Sequence, residues 1–139
     1  MAFGEKHWWI YAVIMVIVPG IYFVNLLEQI SSTAVTEIEY QRPLLFAVGA
    51  AIVLAIVASI VLEIISPIKA AKRDVRDADI SRLGEYVGGI VFAVGMVLPF
   101  ALAMTEADHF WIANSMYLAC VLSALAGTAV KLVAYRRGL

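Results

Sequence analysis

KAAKRDVRDADISR, residues Lys69 to Arg82, is the one strongly charged stretch in an otherwise apolar sequence. Long hydrophobic runs lie on both sides of it, so its reading decides the fold. Either it is the surface of a soluble protein with an unusually large core, or it is the polar connection between two pairs of membrane spans.

Composition selects the second. Of 139 residues, 63% are hydrophobic and 15% charged, against about half and about a quarter in an ordinary soluble domain. A spanning helix needs about 20 mostly apolar residues, and four runs meet that need, at about 8–27, 43–65, 85–104 and 110–134. They use up most of the chain and leave no room for a soluble domain. The prediction is one all-α domain over 1–139, an integral membrane four-helix bundle running up-down-up-down with a cytoplasmic loop at 66–84. The first run is longer than the roughly 7–15 residues of a signal-peptide core and reads as a retained span. Cys120, inside an apolar run and without a second cysteine, reads as a small packing residue.

Local chemistry refines the spans. Trp8, Trp9 and Tyr11 open the first with side chains suited to the water boundary. Pro19-Gly20 and Pro99 predict interruptions of the first and third, because proline removes a backbone donor and crowds the preceding turn. Pro43 suits the first turn of the second. Arg73 and Asp77 are four apart, Arg76 and Asp79 three apart, and neither proline nor glycine occurs from Ile68 until Gly84. The central segment can therefore be a helix that feeds the third span.

Orientation follows from the cations. Lys6, the central Lys69, Lys72, Arg73, Arg76 and Arg82, and the late Lys131, Arg136 and Arg137 fall on one side of the four spans, leaving Arg42 alone on the other. Cytoplasmic loops carry the excess of Lys and Arg, which predicts both termini and the central loop inside, in the plasma (cell inner) membrane.

Small residues mark the faces that pack in lipid, where helices associate through close backbone approach. The second span carries Ala47, Ala51, Ala55 and Ser59 at intervals of four, and the stripe continues to Glu63. The fourth carries Ser115, Ala119, Ser123 and Gly127, and its stripe continues to Lys131. If those stripes face one another, Glu63 and Lys131 meet near the cytoplasmic boundary as an interhelix ion pair; otherwise each snorkels to the interface. Gly84, Gly88 and Gly95 give the third span a small face that can pack within the chain or across a dimer.

No residue set amounts to a catalytic site, and no cofactor is implied. Glu28, Glu106, Asp108 and His109 have the atom types of metal ligands, but their spacing matches no metal signature and they read as solvated loop residues. The two histidines, His7 and His109, fall near opposite interfaces, which disfavours a haem between the helices. Lys72, Arg73, Asp74, Arg76, Asp77 and Asp79 alternate in charge; a purely lipid-binding segment would have little use for three aspartates, so this set is the candidate partner-binding loop.

Asp74-Val75-Arg76-Asp77, followed by Ile80, Gly84 and Gly88, resembles the D-x-R-D loop of a family of small prokaryotic four-helix membrane proteins. The stretch Glu106 to Asn114 and the ending Lys131 to Gly138 are similar to its actinobacterial members, although Val75 stands where such members usually carry Glu. The resemblance implies a membrane component paired with a soluble helix-turn-helix regulator. The expected function is thus a non-enzymatic interaction, sensing or accessory-subunit protein, a homo-oligomer or part of a larger membrane complex, with no direct contact to nucleic acid. The alternative is a small proton-coupled transporter or exporter, acting as a homodimer, with Glu63 as the coupled group.

Overall fold

The computed structural model describes residues 3–65 and 75–138, and these are helical apart from short connections. The helices are α1 (Phe3–Ser32), α2 (Gln41–Ile65), α3 (Val75–Gly95), α4 (Val97–Met104) and α5 (His109–Arg137), with a 3-10 turn at Val35–Glu37 after α1. Helices α3 and α4 are halves of one long apolar stretch. Four helical stretches are therefore long and apolar enough to cross a membrane: Gly4–Ser32, Gln41–Ile65, Val75–Met104 and His109–Arg137.

The helices extend past their apolar runs at most of their ends. Hydropathy stops at the first charges, whereas helix propensity does not, since Glu, Lys, Arg and Gln are nearly as good helix formers as Leu. The clearest case is the central segment. Val75 to Gly84, within the expected loop 66–84, is the first part of α3, in line with the expectation that the segment can be a helix feeding the third apolar run. Residues 66–74, and with them Lys72, Arg73 and Asp74 of the candidate loop, lie outside the described residues.

The two prolines act differently. Pro99 has no N–H to offer the Gly95 carbonyl, and the third span breaks one residue after Gly95, at Met96, between α3 and α4. Pro19 is buried within α1, which continues through it as one helix of 30 residues. At the end of α4, Ala107 N–H donates to Leu102 O at 3.0 Å and Glu106 N–H to Ala103 O at 3.2 Å. This is the Schellman pattern, and it puts Glu106 at φ 53°, a left-handed position where glycine is usual. Gly138, at φ 73°, closes α5 by donating its N–H to Ala134 O.

Contacts fix the arrangement as antiparallel. Gly84 faces Gly127, and Gly95 faces Ala119, so the third span descends α5. Trp8 lies under Lys131, and Tyr22 reaches Asn114, so α1 also runs against α5. α1 packs on α2 as well, while α2 and α3 make at most marginal contact. One end of the bundle, the terminal end, gathers Gly4, Asp77 and Tyr135. The opposite end gathers Tyr22, Leu26, Ile38, Ala47 and Phe110 into a buried cluster.

Most of the apolar surface faces outward: Leu45, Phe46, Ile64 and Ile65 are each more than 70% exposed. A water-soluble monomer rarely carries continuous apolar surface on this scale.

Within the buried cluster, Tyr22 OH donates to Asn114 Oδ1, and Asn114 Nδ2 donates to Phe110 O at 2.8 Å. Both side chains are buried. Tyr22→Phe should cost about 0.6 kcal/mol, and at most about 1.7, the range for hydrogen bonds between membrane helices. Comparing Tyr22→Phe, Asn114→Ala and the double variant by unfolding in mixed micelles checks this, because a real pair makes the two losses non-additive.

Candidate functional site

Two features at the terminal end bring polar groups together. One is a cavity lined by all four spans; the other is the pinned start of α3.

The cavity is built around Lys131. On α5 this lysine follows Ala119, Ser123 and Gly127, and the close approach of α3 to that stripe carries it inward until the residue is 6% exposed. A Cβ added to Gly84 would lie 2.7 Å from Gly127 O, and one added to Gly88 would lie 3.1 Å from Ser123 O. Only glycine on α3 lets the backbones meet this closely. Ser123 Oγ donates across the same seam to Gly88 O at 2.8 Å.

The Lys131 ammonium sits 3.6 Å from the centroid of the Trp8 ring and 3.8 Å from Glu85 Oε1. The first contact is a cation–π interaction, worth about 0.5–2 kcal/mol depending on desolvation. The second is the weaker, because the Glu85 side chain is 71% exposed and solvent-screened. Ser81 Oγ donates to Glu85 Oε1 at 3.0 Å.

The expected Glu63–Lys131 ion pair does not form. The stripes of α2 and α5 do not face one another, because the glycine face of the third span takes the α5 stripe. The α2 stripe instead turns toward α1: Ala47 and Ala51 are buried, Ala55 and Ser59 half-buried, and the latter two line a small gap with His7 and Tyr11. Glu63 is exposed and still lines the same cavity as Lys131.

The cavity measures about 680 Å³. Its walls are His7, Trp8 and Tyr11 of α1, Ser59 and Glu63 of α2, Glu85 and Gly88 of α3, and Ser123, Thr128 and Lys131 of α5. Two of its hydroxyls are committed to their own helices, Ser59 to Ala55 O at 2.9 Å and Thr128 to Ala124 O at 2.7 Å. A neighbouring hollow of about 660 Å³ shares His7, Trp8 and Glu85 and extends to Arg82 and Tyr135.

The candidate partner-binding set divides. Asp77 is half-buried and accepts a hydrogen bond from Tyr135 OH at 2.7 Å, while Ile80, one turn on, is 3% exposed. The hydrogen bond ties the start of α3 to α5, and the burial of Ile80 sets which face of the helix turns inward. Arg76, Asp79 and Arg82 point outward, with Val75 and Tyr86 also exposed.

The metal candidates are not brought together. Glu28, Glu106, Asp108 and His109 are exposed near the opposite end, and among the described residues no group of three or more His, Cys, Asp or Glu side chains could hold a metal ion.

Sequence reasoning missed Trp8 as the platform for Lys131, Glu85 as its carboxylate, and Tyr135 as the partner of Asp77. Glu85 carried a signal, since it adjoins Gly84 on the small face of the third span. Comparison with known proteins finds no matching family model, no matching curated relative and no matching solved structure.

Proposed function

We propose that this chain is a non-enzymatic, multi-pass plasma-membrane protein, with both termini and the segment 66–84 on the cytoplasmic side, that binds a cytoplasmic protein through the start of α3. Orientation rests on the cations, since among the described residues Arg42 alone lies away from the terminal end. The observation that carries the docking role is the pinning of α3. Asp77 bonds the helix to Tyr135 of α5 and Ile80 is buried, so Arg76, Asp79, Arg82, Val75 and Tyr86 form a preformed charged and apolar face that loses little entropy on binding. The resemblance of Asp74 to Asp77 to the D-x-R-D loop of small prokaryotic membrane proteins points to a soluble regulator as that partner.

Native mass spectrometry of the full chain taken from its host membrane into nanodiscs tests this. A stoichiometric partner is expected, crosslinked within Val75 to Arg82. Asp79→Lys with Arg82→Glu should weaken its retention at least tenfold, about 1.4 kcal/mol, and Glu63→Gln should leave it unchanged.

One observation favours a second reading, a small proton-coupled transporter acting as a homodimer: Glu63 lines a cavity shared by all four spans. A homodimer with no partner, whose proton-coupled flux is abolished by Glu63→Gln, would establish that reading instead.

A further inference from the structure

We propose that the cavity around Lys131 is a binding site for a zwitterionic headgroup that carries a primary ammonium and an oxyanion, as phosphatidylethanolamine does. The proposal rests on the reading that the four helices span a bilayer, with the terminal end at headgroup depth.

Three observations carry it. First, the Lys131 ammonium is buried yet short of acceptors among the described residues. It has three N–H donors, but its partners there are a ring face and a carboxylate 3.8 Å away, beyond ordinary hydrogen-bond length. An oxyanion entering the cavity would supply what the ammonium lacks, in a charge-assisted bond.

Second, the charge balance of the described walls rejects a simple ion. Among the described lining residues, Glu63 and Glu85 stand against Lys131, with His7 counted as neutral. A plain anion meets two carboxylates, and a plain cation meets a buried ammonium. A ligand bearing both charges satisfies both, with its oxyanion on Lys131 and its ammonium toward Glu63 and Glu85. Glu63 is exposed and lines the cavity, so a ligand there can reach its carboxylate. A primary ammonium can donate hydrogen bonds to these carboxylates; the quaternary ammonium of choline has no N–H to donate.

Third, the cavity is placed for a lipid. Helices α2 and α3 form two of its walls and barely touch, so the space between them is an entrance from the bilayer. Trp8 and Tyr11 sit where aromatic side chains favour the interface, and about 680 Å³ falls within the usual size of a ligand site.

The test is delipidated full-length protein in detergent, titrated in separate arms with phosphatidylethanolamine, phosphatidylcholine, phosphatidylglycerol and water-soluble phosphoethanolamine, with bound molecules counted by native mass spectrometry. One phosphatidylethanolamine should bind about tenfold more tightly than either other lipid, a difference of about 1.4 kcal/mol. Lys131→Met and Glu63→Gln should each remove that preference. Glu63 is exposed, so its variant keeps the test intact if Lys131→Met fails to fold. Competition by phosphoethanolamine would identify a free zwitterion as sufficient, and its failure would show that acyl chains are needed; both support the headgroup site. Equal binding of the three lipids, or a preference that survives Glu63→Gln, overturns it. Failure of the membrane reading would look different, because the chain would then be released from membranes by alkaline carbonate before any lipid was added.

Discussion

Replacing Gly127 by alanine is expected to destabilise the bundle by about 2 kcal/mol, within the usual cost of about 1–3 kcal/mol for overpacking a close contact. The added Cβ would stand 2.8 Å from Gly84 O and 3.5 Å from Gly84 C. Both are backbone atoms of a helix and cannot rotate aside, so the spans themselves must separate. Separation would also stretch the Ser123–Gly88 hydrogen bond and lift α3 off the stripe that buries Lys131. Alanine recovers up to about 1 kcal/mol through its better helix propensity, which is why the net loss stays moderate. Gly89 is the control. A Cβ there meets nothing within 4 Å, so Gly89→Ala should be neutral or stabilising by up to about 1 kcal/mol. Reversible unfolding in mixed micelles measures both, and equal effects at the two positions would mean that the seam is not what holds the third span to α5.

That seam also marks how far the chain could be read from its residues. Four long apolar helical stretches, the inward faces of α2 and α5, and the interruption at Pro99 were all legible, because hydropathy, small residues at intervals of four and the missing proline donor are local properties. The partner of each face was not. The stripe Ala119, Ser123, Gly127 fits the alanine stripe of α2 or the glycine face of the third span equally well by period. Choosing between them depends on how closely two backbones approach, and Gly84, Gly88 and Gly95 allow an approach that Ala51 and Ala55 do not. The misplaced ion pair follows from that single choice: with α5 facing α3, Lys131 meets Glu85, the neighbour of Gly84, and Glu63 is left on the far wall of the cavity. Helix ends were misjudged for a different reason, as α1 shows by running to Ser32 past the expected end at 27, since polar residues end an apolar run without ending a helix.

Lys131→Glu is expected to cost about 3 kcal/mol, the lower end of the range for stranding a buried charge. The new carboxylate would face the electron-rich ring of Trp8 in place of the ammonium, and would also meet Glu85 as a like charge. The lower end applies because Glu85 is largely exposed and its repulsion is screened. Lys131→Met should be nearly neutral by comparison, since an apolar side chain of similar length packs on the same ring without a charge to solvate. Adding Glu85→Lys to Lys131→Glu should recover about half of the loss, because it restores an opposite charge but not the contact with Trp8. Adding Glu63→Lys should recover much less, since Glu63 shares the cavity without reaching Lys131. Unfolding the four variants side by side in micelles ranks these terms. If rescue through position 63 matched rescue through position 85, the second span would have to lie nearer α5 than it does here, and the close seam between Gly84 and Gly127 could not be what sets the depth of Lys131.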